Sequence, residues 1–266
     1  MKRTIMSYMV ATIVSLAAIG GLMLQPLPQM AQAQPAPTAT VTNPVCGEVV
    51  RGVVNLTSSL VCDGDGIIVG SDNTVINLNG YSIKNSSPKG TESSKVGIMI
   101  PNNDNVVVRG PGTINNFQAG ILVTGANHLS VGPAVTLLAN QIGVFMTGAD
   151  NAQLTHNLFI QNNLGFATHS SSGADIESNI FTGNTLAGIT LVNTHNSQLV
   201  FNNVAGSQNG IFLDAQTSNN VVKTNDVLNN AIDMNNANGL AANINANSFT
   251  ENNCRTSNPS GICIGR

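Results

Sequence analysis

Three side chains in the second half of the chain could act together on a substrate. They are His169, Asp214 and Asp233. Two carboxylates about 5 to 10 Å apart can hydrolyse a glycosidic bond, and a histidine can transfer protons near neutral pH. These residues lie far apart along the sequence. A shared site therefore depends on the structural elements that hold them.

A short phrase recurs at nearly constant intervals along most of the chain. It consists of a small residue, an aliphatic or aromatic residue, any residue and then usually a second apolar residue. Successive occurrences are 31, 23, 23, 22, 23, 22 and 21 residues apart. Regular steps in this range indicate a solenoid. The occurrences begin at Gly66, Gly97, Gly120, Gly143, Gly165, Gly188, Gly210 and Ala231.

The repeat is typical of β-strands. Apolar residues alternate with period two, as Ile189 and Leu191 do, and no segment keeps the 3.6-residue period of a helix. Gly and Asn interrupt every few residues, which would break helices of useful length. Leucine-rich repeats share the repeat length but need a consensus that is absent. We predict an all-β, single-domain parallel solenoid of roughly eight or nine coils, each of about 22 or 23 residues.

Asparagine recurs in two phases of the repeat, five residues apart. Amides stacked from coil to coil can form hydrogen-bonded ladders, and Asn tolerates the left-handed backbone of sharp corners. We therefore predict a structural role for these residues, with Phe159, Phe181 and Phe249 stacked inside. The two phases comprise Asn157, Asn179, Asn202, Asn225 and Asn247, and then Asn162, Asn184, Ser207, Asn230 and Asn252.

Alternation along the recurring phrase divides its side chains between the core and an outer face. The third residue should point outward, which places Asp233 on that face, and the next outward position holds His169 and Asp214. Asp214 and Asp233 should lie on neighbouring coils, with His169 about two coils from Asp214. The alternative is that all three are unrelated surface residues.

The same outward row begins with an apolar stripe. Exposed apolar stripes are typical of contact surfaces. Equally, the lead-in at 34–43 or a charged loop at 81–96 could cover the stripe. The stripe consists of Ile68, Met99, Leu122 and Phe145.

Outside the repeats, the composition of the chain changes. A basic start, an apolar run and the small-residue site Ala31-Gln32-Ala33 predict a signal peptide over 1–33; an uncleaved membrane anchor is the alternative. We expect a secreted, periplasmic or cell-surface protein. The remaining predicted segments are a flexible lead-in at 34–43, an N-terminal cap at 44–62, repeats at 63–253 and a tail at 254–266.

The four cysteines form two close pairs, Cys46 with Cys62 and Cys254 with Cys263. Of the three possible connectivities, we favour the local one, with disulfides formed in an oxidising compartment. The spacing and the absence of nearby His make a metal site the weaker alternative. We expect no cofactor.

Composition argues against nucleic-acid binding. Charged residues make up 9% of the chain, and there is no basic cluster of the kind that phosphate binding needs. Hydrophobic residues make up 42%, which provides a sizeable core.

The chain resembles a known group of proteins. The features that carry the resemblance are the repeated N-x-F-x-x-N-x(3-4)-G-I-x-L pattern from Asn157 to Met234, Cys46-Gly47, Cys62 and the stretch from Ile76 to Ile83. This group contains secreted right-handed parallel β-helix proteins of the NosD type, within the carbohydrate-binding and sugar-hydrolase β-helix superfamily. The resemblance covers about 46–253 and implies a right-handed β-helix. Members include lyases, hydrolases, epimerases and accessory proteins of copper-enzyme maturation.

The catalytic signatures that the resemblance would imply are missing. The sequence has no Asp-Asp or His-Gly pair, no Arg-x-Lys and no Asp-Pro-His-Glu. A copper role would need clusters of Met or His, and most of the eight Met residues lie near the N-terminus. We therefore expect an exported, non-catalytic and monomeric protein that is structural or binds a polysaccharide or a cell-surface protein. The alternative is a polysaccharide lyase, hydrolase or epimerase that uses His169, Asp214 and Asp233.

Overall fold

A computed structural model describes residues 40–87 and 95–263 of the chain. These residues belong to one compact unit. Three parallel sheets wind into about nine turns, accompanied by one short 3-10 helix, Ala242–Ile244. The predicted all-β solenoid is confirmed. The predicted signal peptide at 1–33 lies outside the described residues, within which no helix is long and apolar enough to cross a membrane.

Each coil contributes one strand to each sheet, in the order sheet 1, sheet 2, sheet 3. Sheet 1 contains Glu48–Val50, Ile67–Val69, Val96–Pro101, Ala119–Thr124, Ile142–Thr147, Leu164–His169, Ala187–Val192, Asn209–Leu213, Ile232–Asn236 and Ser257–Asn258. Sheet 2 contains Thr40–Thr42, Val53–Asn55, Val75–Asn77, Val107–Arg109, Ser130–Val131, Gln153–Thr155, Asp175–Glu177, Gln198–Val200, Val221–Lys223 and Ser248–Thr250. Sheet 3 contains Leu60–Cys62, Ser82–Asn85, Gly112–Asn115, Val135–Leu138, Leu158–Ile160, Ile180–Thr182, Asn203–Ala205, Asp226–Val227 and Asn253–Cys254.

The glycine of the recurring phrase is required by the close approach of successive coils. A β-carbon on Gly143 would lie 2.4 Å from the carbonyl oxygen of Gly165, and one on Gly165 would lie 2.5 Å from that of Gly188. Contacts this short with backbone atoms cannot be relieved by moving a side chain. A larger residue at either of these two positions would therefore push two coils apart.

The core is a continuous column of apolar side chains. Ile121, Val144 and Phe166 are paired in register in sheet 1 and fully buried. Phe159 and Phe181 stack in sheet 3 with ring centroids 4.4 Å apart. Phe249 is also in the core, but it pairs with Val222 in sheet 2 and so does not extend the Phe159 column.

Asparagine amides join successive coils along one corner, between sheets 2 and 3. In the middle of this ladder, Asn179 Nδ2 donates to Asn202 Oδ1 at 3.2 Å, and Asn202 Nδ2 donates to Asn225 Oδ1 at 3.0 Å. Each backbone N–H also donates to the amide oxygen of the next coil. These side chains are buried, so the predicted structural role is confirmed. The ladder consists of Asn157, Asn179, Asn202, Asn225 and Asn252.

The predicted phase of the last coil was wrong. Asn225 bonds to Asn252, whereas Asn247 stacks under Asn220 at a different corner. The step from Asn225 to Asn252 takes 27 residues, because the loop that follows Asn236 contains extra residues, including the 3-10 helix. The step is therefore 27 residues in sheets 2 and 3 of this coil, whereas in sheet 1 it is 23 residues, from Met234 to Ser257.

A second ladder runs along the corner between sheets 3 and 1, and it contains one break. Asn140 donates to Asn162, and Asn162 to Asn184 at 3.0 Å. The next coil has Ser207, whose hydroxyl is buried without a hydrogen-bond partner. The ladder resumes where the backbone N–H of Ser207 donates to Asn230 Oδ1 at 3.0 Å.

Several segments near the chain ends are more regular than predicted. Thr40–Thr42 was assigned to a flexible lead-in, but it is a strand that pairs with Val53–Asn55. The Asn43 N–H group donates to Asn55 O and extends this strand pairing. The expected loop at 81–96 is shorter, since Ser82–Asn85 is a strand whose Ile83 side chain is in the core. In the tail, Ser257–Asn258 pairs with residues of sheet 1.

Both disulfides have the predicted local connectivity. Cys46 bonds to Cys62 with a Cα–Cα distance of 5.6 Å, and Cys254 bonds to Cys263 with one of 5.4 Å. One disulfide lies at each end of the solenoid. They tie the first and last strands of sheet 3 to the adjacent chain.

We predict that Asn202→Leu lowers the free energy of unfolding by about 3 kcal/mol. The substitution removes the acceptor of two Asn179 donors and the donor to Asn225 Oδ1. The matched control is Asn203→Leu, because Asn203 is exposed on sheet 3 and should change stability by less than about 0.5 kcal/mol. Urea denaturation measures both variants. Equal effects would contradict the structural role of the ladder.

Candidate functional site

The outer face of sheet 1 holds two of the three ionisable candidates in one row. His169 pairs with Val192, and Asp214 follows the strand Asn209–Leu213 one coil further on. The register thus separates His169 from Asp214 by two coil spacings, about 10 Å, as expected. Val192 lies between them and is buried. The two side chains share a row without direct contact.

Asp214 is occupied by hydrogen bonds that shape a corner. Its Oδ1 atom accepts from Thr217 Oγ1 at 2.6 Å, from Asn193 N at 2.9 Å and from Gln216 N at 3.2 Å. These bonds close a turn and link it to the preceding coil. The carboxylate acts as a local cap for backbone N–H groups.

The expected position of Asp233 on this outer row was wrong. Sheet 1 pairs Phe212 with Asn235, so Asp233 falls two residues earlier, opposite Gly210. The chain keeps a constant step of 23 residues here, whereas the recurring phrase by itself gives a step of 21. Asp233 is only 2% exposed.

The buried Asp233 carboxylate terminates the second asparagine ladder. One oxygen accepts from the backbone and the side-chain amide of Asn230, each at 3.1 Å. The other accepts from Arg255 N at 2.9 Å and Thr256 N at 3.1 Å. All four donors belong to the chain itself. Asp233 therefore stabilises the last coil, and the structure does not bring it together with His169 and Asp214 on the outer row.

The apolar stripe is exposed only at its start. Ile68 and Met99 are half-buried, whereas Leu122 and Phe145 are buried although they are outside the core cluster. The row continues to Thr190, whose hydroxyl is buried without a hydrogen-bond partner. Of the segments expected to cover the stripe, residues 34–39 and 88–94 lie outside the described residues.

A pair of carboxylates on sheet 2 was not recognised as a candidate in the sequence. Asp175 and Glu177 flank the buried Ile176 in one strand, so both point to the outer face. Alternate residues of a strand lie about 6.6 Å apart. Partial burial, and secondarily the Glu177 charge, raise the pKa of Asp175. The sequence could have indicated this pair, since two acidic residues separated by one apolar residue in a strand must lie on the same face.

One of the two rows that contain this pair is polar over three successive coils. Along the Asp175 row, Gln153 and Gln198 occupy the neighbouring coils in register. Along the Glu177 row, Thr155 precedes and the apolar Val200 follows. The Asp175 row therefore offers hydrogen-bonding groups at one coil spacing, about 4.8 Å.

Metal-binding side chains do not converge in the part of the chain that the structure describes. No group of three or more His, Cys, Asp or Glu residues there could hold a metal ion. All four cysteines are in disulfides. Met146 is in the core and Met234 contacts the sulfur of Cys254.

We predict that Asp233→Ala lowers the free energy of unfolding by about 2–4 kcal/mol, because it leaves buried N–H donors without an acceptor. Asp226→Ala is the control, since Asp226 is exposed and accepts a single hydrogen bond from the Asn253 amide at the surface. This control should shift stability by less than about 0.5 kcal/mol. The urea midpoint checks both. A fully stable Asp233→Ala variant would refute the ladder-terminating role.

Comparisons with solved structures place the fold among known β-solenoids. A double mutant of the periplasmic alginate epimerase AlgG superposes with a TM-score of 0.55 at 12% identity, over 82% of this chain and 59% of the epimerase. DFA-IIIase from Arthrobacter chlorophenolicus A6 in complex with GF2 superposes with a TM-score of 0.55 at 16% identity, over 75% and 55%. The chain thus spans less than two thirds of either protein. A search of curated proteins finds no significant match.

A family model with the description "Periplasmic copper-binding protein (NosD)" matches residues 58–261. The described residues do not fit a copper site, because no set of His, Cys or carboxylate ligands converges among them and copper sites need such sets. Family membership rests on the match itself, which covers most of the repeats, and on the parallel solenoid. This chain belongs to the NosD family of periplasmic β-helix proteins.

Proposed function

We propose that this protein is an extracytoplasmic polysaccharide-binding protein that catalyses no reaction. The observation that carries the proposal is how the chain uses its polar side chains. Asp214 and Asp233 are engaged in hydrogen bonds within the fold, whereas sheet 2 presents a polar row of Gln153, Asp175 and Gln198 on its outer face. The hydrogen bonds of Asp214 and Asp233 leave no pair of free carboxylates from these residues on sheet 1. The polar side chains of sheet 2 are suited to bind a ligand.

Repetition favours a polymer as that ligand. Gln153, Asp175 and Gln198 follow one another in register at about 4.8 Å intervals. A linear glycan presents hydroxyl groups repeatedly along its length, so one chain could donate to several coils.

The periplasmic description of the family and the two disulfides support the location. Disulfides persist in oxidising compartments outside the cytoplasm. We propose binding at the cell envelope, by a monomer.

One observation favours an enzyme as the second candidate. Asp175 and Glu177 form a carboxylate pair, and the pKa of Asp175 is raised by burial and by Glu177. Glycoside hydrolases use such a pair, in which the carboxyl group with the raised pKa acts as acid. In this alternative, Asp175 would protonate the leaving group and Glu177 would be the nucleophile or base.

We predict binding without turnover when the purified protein is incubated with a panel of neutral and acidic polysaccharides. Calorimetry measures binding, and assays for reducing and unsaturated ends measure cleavage. Asp175→Asn combined with Glu177→Gln should weaken binding about tenfold or more, and Asp72→Asn, an exposed acid in a turn of an early coil, serves as control. Release of ends that disappears in the Asp175→Asn variant would establish the enzyme alternative. No binding of any polysaccharide would contradict the proposal.

A further inference from the structure

Phe201 has a backbone conformation that large side chains avoid. Its φ angle is +57°, in the left-handed region where a bulky residue is an outlier. The same corner position is filled by Ser178 in the preceding coil, Thr224 in the next and Glu251 in the one after, all with φ between +55° and +56°. The fold thus fixes this conformation at every coil. A phenylalanine here adds strain that a small polar residue would reduce.

The Phe201 ring makes no compensating contribution to the core. Its side chain is 56% exposed and is not part of the core cluster. Ile180, on the adjoining strand of sheet 3, is 44% exposed. Residues held in unfavourable backbone conformations and left exposed are found at functional sites. The combination indicates a contact with something outside the chain.

Two aromatic side chains flank a small residue along this corner. Ser178 occupies the position next to Phe201, and the exposed His156 occupies the position after it. The register of sheets 2 and 3 places the backbones of Phe201 and His156 two coils apart, about 10 Å. This spacing matches a flat ring with carbon contacts of about 3.5–4 Å on each face.

The polar side chains around this corner select for neutral hydroxyl-bearing ligands. Glu177 directly precedes Ser178, and Asp175 lies on the same outer face. Both carboxylates accept hydrogen bonds from hydroxyl groups and repel anions. Lys223 lies two coils beyond Glu177 in that row, where it forms an ion pair with Glu251 at 3.8 Å. The local charge therefore disfavours uronate sugars.

We propose that the corner from His156 to Phe201 is a binding site for a neutral sugar ring, which stacks on Phe201 above Ser178 and donates hydroxyl hydrogen bonds to Glu177 and Asp175. The apolar face of a sugar ring matches the Phe201 ring, and its hydroxyls match the carboxylates. This inference rests on the proposed polysaccharide binding and assigns it to one corner of the solenoid.

The absence of tryptophan from the chain allows a direct spectroscopic test. In the full-length Phe201→Trp variant, the introduced indole is the sole tryptophan, and titration with neutral oligosaccharides should shift its emission with saturation. Tyr81→Trp is the control. Tyr81 is an aromatic residue that is 38% exposed, and it lies far from this corner in the sequence. It should not respond. A response of Phe201→Trp to acidic oligosaccharides alone would overturn the charge argument.

A second variant separates binding from folding. Phe201→Asn removes the ring and suits the left-handed backbone, so the melting temperature should stay equal or rise by about 1–3 °C. Affinity for neutral glycans, measured by calorimetry, should fall about tenfold or more. Unchanged affinity in this variant would overturn the site while polysaccharide binding stands. If the wild-type protein binds no polysaccharide, the proposed function fails and this inference fails with it.

Discussion

The structure depends on the stacking of polar corners from coil to coil. A solenoid turns three times in every coil, and each turn leaves backbone N–H groups that strands cannot satisfy. Here an amide oxygen from the next coil accepts one of these backbone donors together with a side-chain amide, as Asn202 Oδ1 does from N and Nδ2 of Asn179. The bond exists only when equivalent residues lie directly above one another. The hydrogen bonds of the corners therefore form only when the coils stack in the correct register.

This condition separates the positions that are fixed from those that can change. Glycine is required inside the array, because a β-carbon at Gly143 would meet the carbonyl of Gly165; the last coil has Asp233 at this phase. The asparagine phases can change little. The outward positions of sheets 2 and 3 are free of both constraints. The exposed polar row, the Asp175–Glu177 pair and Phe201 all occur at outward or corner positions. Binding can thus evolve on this scaffold without loss of its register.

Sequence periodicity was sufficient to predict the coils and the asparagine ladders, since each depends on residues that recur at a constant step. Both disulfides were predicted from the closeness of each cysteine pair along the sequence. Periodicity was insufficient in the last coil, where extra residues after Asn236 place Asn252 under Asn225 and Asn247 under Asn220 at a different corner. Asp233 was misplaced for a related reason. Asp233 occupies the position in its coil that is glycine in the preceding coils. Its position is therefore evident only from its pairing with the preceding coil. The left-handed backbone at Phe201 was likewise not predicted, because phenylalanine, unlike glycine or asparagine, does not indicate that conformation.

The most direct test of the central claim repairs the break in the second ladder. Ser207→Asn would supply an oxygen to Asn184 and an amide to the carbonyl of Phe181, as Asn184 itself does for Asn162 and Phe159. Stability should rise by about 1 kcal/mol, or roughly 2–4 °C in melting temperature. Ser207→Leu, similar in size but without an amide, should lower it. If Ser207→Asn lowers the melting temperature as much as Ser207→Leu, side-chain ladders do not hold the coils in register.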